Sequence, residues 1–551
     1  MPIISITIQN FKGIRGPLRV ELKPITLLFG PNSSGKSTIV QALHFAREIF
    51  ERENVNPDRT VLGADTINLG GFENLVHKHD KTLPIILRFD LDLGGEALPD
   101  YFVSDGYEEP GSDFWSERIA LFIPTEVRTA WVEIQLQWSE LLNRPIVKRY
   151  SVGTNGEDLA DITASDDGQQ VNITKLIPYN PVFLKEATVE AAKINGVKLL
   201  AGEEEITDKE KGELGEGFLR ILELMDIVEG LPGLSEPYHV GPQQSAIPLW
   251  GRPLGIHGPR IASLEVDFED EDSFVLALSS LIVGTGELVK NALKKLCYLG
   301  PLRIIPPRDF QPNKTPDESR WANGMAAWDI LIKSDKTFID RINQWLYGAD
   351  RLNSGYKVII KEYKEMDVAD PIMVSLLKGS HSDEGENLTD RINSLPTHRR
   401  LLLWEGRNRI EVQPLDIGVG ISQLLPVIVA VMSAKSGLVA IEQPELHAHP
   451  ALQVTLGDLF ISQAKEHPDV TFIIETHSEH LLLRIMRRMR ETKEGKLPEG
   501  CMPVRPEDVM VLFFETDGQC SIVREMPLNE RGELVKAWPG GFFEEGLREV
   551  L

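Results

Sequence analysis

The chain has 551 residues, room for roughly two to four domains, and its 42% hydrophobic and 26% charged residues make a globular mixture rather than a disordered scaffold. With 83 acidic against 58 basic residues the formal net charge is −25, so phosphate backbones are not drawn to the surface as a whole. Cys297, Cys501 and Cys520 form no C-x-x-C pair, which indicates neither a zinc site nor a disulfide framework and fits a reducing cytoplasm.

The N-terminal stretch alternates Ile4, Ile6 and Ile8 with Ser5 and Thr7, a strand pattern unlike the basic and then apolar layout of a signal peptide. Leu18, Val20 and Leu22 alternate likewise, and Ile25–Phe29 is a continuous apolar run expected of a buried central strand. Next comes Gly30-Pro31-Asn32-Ser33-Ser34-Gly35-Lys36-Ser37, which fits G-x-x-x-x-G-K-[ST], and then a helix-compatible stretch at Ser37–Phe50. Strand, glycine-rich loop and helix in this order form an ATP cradle, with ATP-binding residues Gly30, Asn32, Ser33, Ser34, Gly35, Lys36, Ser37 and Thr38. Lys36 is expected to reach the β- and γ-phosphates, and Ser37 to place its hydroxyl on Mg²⁺. The alternative is a glycine-rich turn without nucleotide.

Further strands are expected at Ile85–Leu93 and Ala130–Trp138. From about 181 to 400 the character changes: acidic runs at Gly202–Gly217 and Phe268–Ser273, scattered prolines over 231–316, a loop-like stretch at Gly379–Asn387, and no sustained heptad. This reads as a globular insertion. Within it Arg303 and Arg308 either touch phosphate or brace the lobes.

From Arg400 the pattern is again α/β. Asp416-Ile417-Gly418-Val419-Gly420-Ile421-Ser422-Gln423 precedes an apolar helix and offers a second anion site at its N-terminus, or a glycine turn with a serine cap. The apolar run Leu424–Ala434 contains Pro426, and no run reaches the roughly 18 residues of a membrane span. Leu438–Ile441 ends in Glu442, a carboxylate placed to hold Mg²⁺. Gln443 stands where a general base would follow; an amide can orient water but cannot take its proton. Glu445 is the nearest carboxylate that could, its alternative role being a helix N-terminal acid. His447 and His449 lack the spacing of a helical metal pair and read as structural. A helix is expected at about Pro450–Lys465. The strand Val470–Ile474 leads to His477, either a γ-phosphate sensor or a satisfied core histidine, and Ser478 caps a helix to Arg490. Arg484, Arg487 and Arg488 share a face of that helix, with Arg490 beside them, read as solvated or ion-paired rather than as a nucleic-acid contact. Val509–Phe514 and Ser521–Val523 flank Asp517-Gly518, a hairpin signal. Trp538, Phe542 and Phe543 are expected to pack on the body.

These elements in this order resemble the ABC-type ATPase heads of the RecF, SMC and overcoming-lysogenization-defect group: ITIQNFKGI and ITLLFGPNSSGKST at the start, GVGISQ as a signature variant, IEQPELHAHP as the Walker B and D-loop region, and ETHSEHLLLR as the H-loop. The ending Trp538-Pro539-Gly540-Gly541-Phe542-Phe543 is similar to that of a bacterial branch with an uncharacterised C-terminal domain. The resemblance covers about 1–90 and 400–551. It implies an α/β P-loop ABC-type head, a mixed sheet with flanking helices and a large mixed α/β or helical insertion. The expected divisions are a lobe at 1–180, the insertion at 181–400, a lobe at 401–500 and a hairpin with aromatic tail at 501–551. It also implies a homodimer, or a higher oligomer of dimers, in which Gly418, Gly420, Ser422 and Gln423 complete the other chain's site. Glu442 and Ser37 would hold the metal, with Glu445, Gln443 and His477 catalytic. Three features depart from the pattern: the signature lacks the transporter Ser-Gly-Gly order, Gln443 replaces glutamate, and no long coiled coil is present. The short stretch after His477 leaves little room for a nuclease domain, so the resemblance implies an ATP-driven switch in bacterial antiphage defence that acts with a separate effector such as a nuclease; the alternatives are a RecF-type DNA-repair ATPase that binds DNA directly, or a slow or non-hydrolysing nucleotide-binding module. The expected cofactors are ATP and Mg²⁺, and the expected location is cytoplasmic, without a membrane. Nucleic acid is an alternative partner, met directly or through another protein.

Overall fold

The computed structural model describes residues 3–63, 65–101, 120, 122–200, 207–215, 217–219, 221, 238–241, 245–257, 268–370, 373–374, 377–378, 390 and 392–539. Two large sheets organise them. The apolar run Ile25–Phe29 sits inside a six-stranded sheet ordered Cys297–Leu299, Gly437–Glu442, Val470–Glu475, Ile25–Phe29, Val509–Thr516 and Ser521–Glu525. The first five strands are parallel to their neighbours and only the last is antiparallel. Such a sheet is covered on both faces, which is why these strands read as unbroken apolar runs rather than alternating ones. Leu28, Ala440, Ile473 and Leu512 enter one core cluster, while Ile25, Leu27, Phe29, Ile441, Phe472 and Val511 enter another.

On one face lies the helix Lys36–Arg52, whose Ile39, Leu43, Phe45, Ile49 and Phe50 also meet a nine-stranded antiparallel sheet. That sheet runs Ile256–His257, Tyr238–Val240, Val171–Leu176, Glu157–Ala164, Arg144–Thr154, Thr129–Ser139, Ile85–Asp92, Ile3–Gln9 and Leu18–Glu21. The other face of the six-stranded sheet is covered by the helices Val419–Ser433, Pro450–Glu466 and Glu479–Lys493. Pro450 occupies the first turn of its helix, where its missing N–H is no loss, and Ser478 accepts from the Leu481 N–H as the cap read from sequence. A third sheet joins Tyr356–Lys364, Thr397–Glu405 and Ile410–Val412.

Strand pairing crosses the expected divisions of the chain. Cys297–Leu299, from the middle region, pairs with Gly437–Glu442, and Val509–Thr516 pairs with the phosphate-loop strand itself. The middle region is mixed α/β, feeding both large sheets. Among the described residues one helix, Ser273–Lys294, is long and apolar enough to cross a membrane; 72% of its apolar window is buried inside the protein. The expected loop at Gly379–Asn387 lies outside the described residues, as do Gly540, Gly541, Phe542, Phe543 and, within the acidic run Gly202–Gly217, residues 202–206 and 216.

Candidate functional site

The loop between Ile25–Phe29 and Lys36–Arg52 owes its shape to two glycines held against a remote hairpin. Gly30 has φ 144°, and a Cβ there would stand 2.3 Å from the Phe514 carbonyl oxygen. Gly35 has φ 100°, and a Cβ would stand 2.6 Å from Ser521 Oγ. Ser33 between them also takes a positive φ of 62°. Asn32 and Ser33 are exposed, while Ser34 and Thr38 are buried. Lys36 Nζ donates to the carbonyls of Gly30 at 3.1 Å and Pro31 at 2.8 Å, and lies 3.8 Å from the Glu475 carboxylate. Burial lowers the affinity of its ammonium for a proton, opposed by Glu475 and Glu442. Ser34 Oγ is buried and makes no hydrogen bond among the described residues.

Two carboxylates meet at the ends of adjacent parallel strands, because Glu442 is in register with Glu475. Ser37 Oγ donates to Glu475 Oε2 at 2.7 Å, and the Tyr298 hydroxyl donates to Glu442 Oε1 at 3.1 Å. Burial, and then repulsion from Glu475, push the Glu442 carboxyl up to about 7; Tyr298, Arg303 and Lys36 oppose this. A hydroxyl beside two close carboxylates is a donor set that fits Mg²⁺, which takes one or two carboxylates and fills its octahedron with water and phosphate oxygens. Glu475 is the residue that the sequence reading missed. Its signal was an acid ending a fully buried strand, as Glu442 does.

Gln443 holds a left-handed backbone, φ 46°, with its N–H donating to the Glu475 carbonyl at 2.7 Å. Its half-buried side chain makes no hydrogen bond among the described residues. Glu445 Oε1 accepts from the His477 backbone N–H at 2.7 Å, while Oε2 is buried with no hydrogen bond within 3.5 Å among the described residues, the Thr476 side chain lying close enough to favour the ionised form. Burial raises the Glu445 proton affinity; burial and then the Lys36 charge lower that of His477. His477 Nε2 is buried and also makes no hydrogen bond among the described residues. Buried polar atoms left without partners are uncommon, and three of them in and beside this loop are atoms that a polar ligand can satisfy.

Two of the four signature residues lie at the surface of the single chain and two are buried within it. Gly418 is exposed and Gly420 half-buried at the start of the helix Val419–Ser433, with no side-chain cap on its first N–H groups. A Cβ on Gly420 would meet the His447 carbonyl oxygen at 2.6 Å, so glycine is already required by packing within the chain. Ser422 and Gln423, expected to reach outward to a partner chain, are 1% and 7% exposed. Ser422 Oγ turns to the carbonyls of Pro414 and Gly418, each at 3.4 Å, and Gln423 is engaged with the Arg303 backbone. Helical periodicity turns both side chains toward the core, leaving the backbone of Gly418 and Gly420 at the surface.

The remaining candidates fall into place as follows. Arg308 makes a bidentate pair with Asp416, just before the signature. Arg484 and the buried Arg488 pair with Asp458, and Arg487 and Arg488 with Glu491, leaving an ion-paired face. His449 Nδ1 accepts from the Ala451 N–H as a helix cap. Among the described residues no group of three or more His, Cys, Asp or Glu is gathered as a metal site. Trp538 packs edge-on to Phe29 and Phe513, each ring 5.5 Å away.

Three family models match parts of the chain. Residues 1–127 match one described as an AAA ATPase domain, and residues 333–484 match "AAA domain, putative AbiEii toxin, Type IV TA system". Residues 504–551 match "Protein of unknown function (DUF3696)". The first two matches span Lys36, Ser37, Glu442, Gln443, Glu445, Glu475 and His477, but not Tyr298, Arg303 or the hairpin behind the loop. Comparison with curated proteins returns no match. Among solved structures, an Smc head bound to the C-winged helix domain of ScpA is 9% identical with TM-score 0.34, covering 96% of this chain and 98% of that one. An Smc head with an extended coiled coil, bound to the C-terminal domain of ScpA derived from Pyrococcus furiosus, is 10% identical with TM-score 0.33, covering 95% and 96%. The SMC head domain from Thermotoga maritima is 8% identical with TM-score 0.34, covering 96% and 100%.

Proposed function

We propose that the chain is an ATP-binding and hydrolysing switch of the ABC type, which closes as a homodimer on ATP and serves as the sensor subunit of a bacterial antiphage defence system with a separate effector such as a nuclease. The observation that carries the ATPase part is the convergence of Lys36, Ser37, Glu475 and Glu442 under a loop with buried, unpartnered polar atoms. The defence role rests on the sequence resemblance. A cytoplasmic location follows from the substrate proposed.

In this reading the loop N–H groups and Lys36 bind the β- and γ-phosphates, Lys36 exchanging the carbonyls of Gly30 and Pro31 for phosphate oxygens. Ser37, Glu475 and Glu442 hold Mg²⁺, which when bound neutralises charge on the phosphate oxygens. Gln443 orients the attacking water. Glu445 takes its proton on Oε2, which makes no hydrogen bond among the described residues. Neutral His477 touches the γ-phosphate through Nε2 and, through its backbone bond to Glu445, links that contact to the proton acceptor. Gly418 and Gly420 offer backbone N–H groups to the second copy.

The test is ATP turnover by the purified chain and by Lys36→Ala, alongside co-purification from the native operon. Turnover that Lys36→Ala abolishes supports the enzyme reading. Turnover equal in both chains refutes it. A homodimer that binds no neighbouring product and gives no protection from phage refutes the defence role.

A further inference from the structure

We propose that Arg303 is a positioning residue that couples, within one chain, the helix Val419–Ser433 to the Glu442–Glu445 turn; this rests on the ATPase reading above. The Gln423 side chain grips the Arg303 backbone in both directions: its Oε1 accepts from the Arg303 N–H at 3.1 Å, and its Nε2 donates to the Arg303 carbonyl at 2.5 Å. The Arg303 guanidinium then donates to the carbonyls of Glu442 at 2.6 Å, Gln443 at 3.3 Å and Gln423 at 3.4 Å. One residue thus spans from the helix that begins at Gly418–Gly420 to the strand end that carries the carboxylate, the amide and the strained φ of Gln443.

The local arrangement is costly as a purely structural one. Arg303 is 3% exposed, while the apolar Leu302 and Ile304 on either side of it are 72% and 50% exposed. Folding alone favours the opposite placement, with the charge outside and the aliphatic groups inside. No salt bridge pairs the buried guanidinium among the described residues, and its Nε has no partner. Burial lowers its proton affinity to about 10, with Glu445 the largest opposing influence. The segment is also closely packed: a Cβ on Gly324, φ 78°, would lie 3.0 Å from Arg303 Cβ and 3.3 Å from Pro426 Cβ, so a larger residue there would be strained and would press Arg303 and the helix apart by a few tenths of an ångström. A shift of the helix therefore moves Arg303 and, with it, the carbonyls that set the Gln443 backbone and the distance from Gln443 and Glu445 to the attacking water.

Arg303→Lys keeps the charge but cannot reach three carbonyls with a fork, and Gln423→Met keeps the shape but removes both backbone bonds. Steady-state ATP turnover and nucleotide affinity are measured for the unaltered chain, both variants and the double variant, with Lys36→Ala as the blank. The expected result is a fall in kcat of about 10-fold or more in each single variant, with KM changed by less than about 3-fold. The double variant is expected to be no slower than the slower single one, because both cut the same connection. Unchanged kcat, equal losses in kcat and affinity, or additive effects in the double variant overturn the coupling role while leaving the ATPase reading intact. An unaltered chain no faster than Lys36→Ala overturns both. If Arg303→Lys does not fold, Gln423→Met alone decides between these outcomes.

Discussion

Replacing Glu442 by glutamine should stabilise the protein without nucleotide, and only at neutral to alkaline pH. The Glu442 carboxyl is pushed from its ordinary 4.5 up to about 7, chiefly by burial and then by Glu475 at the next strand end. The folded chain therefore holds a proton there that the unfolded chain has released. Stability falls as pH rises from about 4.5 through about 7, since the native state binds more protons over that window. The full penalty of the charged form is about 3 kcal/mol, and water reaching the half-buried strand end trims it to about 1–3 kcal/mol. Glutamine has nearly the same shape, can still accept from the Tyr298 hydroxyl, and carries no charge. Urea unfolding of both chains at pH 5 and pH 8, in chelator and without nucleotide, measures the difference. Glu442→Gln should match the parent at the lower pH and exceed it at the higher. Parallel pH profiles, or a variant weaker at pH 8, would refute the reasoning. With Mg²⁺ and ATP added the order should reverse, because the carboxylate then gains a cation.

Two further substitutions separate chemistry from architecture. Glu445→Gln keeps the acceptor for the His477 N–H and should lower turnover by about 100-fold or more while ATP binding persists; unchanged turnover removes Glu445 as proton acceptor. Gly30→Ala should destabilise the fold by about 2 kcal/mol or more, because both φ and the Phe514 carbonyl exclude a Cβ. Gly16→Ala, with nothing within 4 Å of the new Cβ, is the control and should be near neutral by thermal unfolding.

The legible parts of the sequence were those with local signals. The strand Ile25–Phe29, the loop behind it and the helix Lys36–Arg52 lie where apolar periodicity and the glycine spacing put them. The hairpin forms too, with a four-residue loop, since Thr516 pairs with Ser521 and Asp517 Oδ1 accepts from the N–H groups of Gln519 and Cys520. The strands Arg144–Thr154 and Glu157–Ala164 also had a local signal: Asn155-Gly156 between them takes φ 49° and 87°, the two-residue turn that suits strand twist. Other features depend on pairings distant in sequence. Glu475 reaches Ser37 only because Val470–Glu475 lies parallel to Ile25–Phe29, 438 residues separating the bonded pair. Arg303 is buried between Gln423, which bonds its backbone, and the carbonyls of Glu442 and Gln443, and neither periodicity nor motif spacing reports those contacts.

The hairpin Val509–Thr516 and Ser521–Glu525 bears on the phosphate loop more directly than its place in sequence suggests. Val509–Thr516 lies in register beside Ile25–Phe29, and the Phe514 carbonyl stands where a Gly30 side chain would begin. Ser521 holds the Gly13 carbonyl through its backbone N–H at 2.8 Å and faces both Gly13 and Gly35 with its hydroxyl. Three glycines of the N-terminal segment are thus fixed by residues 514–521. The match to residues 504–551 therefore falls on a segment that shapes the loop from behind, while Lys36, Glu475 and His477 line it in front. A strand paired along the whole of Ile25–Phe29 restricts the conformations open to the loop that follows, and a loop restricted in this way has a lower ordering cost on binding an anion. On this argument the hairpin belongs to the proposed nucleotide site, and the loop's glycines are required by their neighbours in the sheet as much as by the phosphates they are proposed to hold.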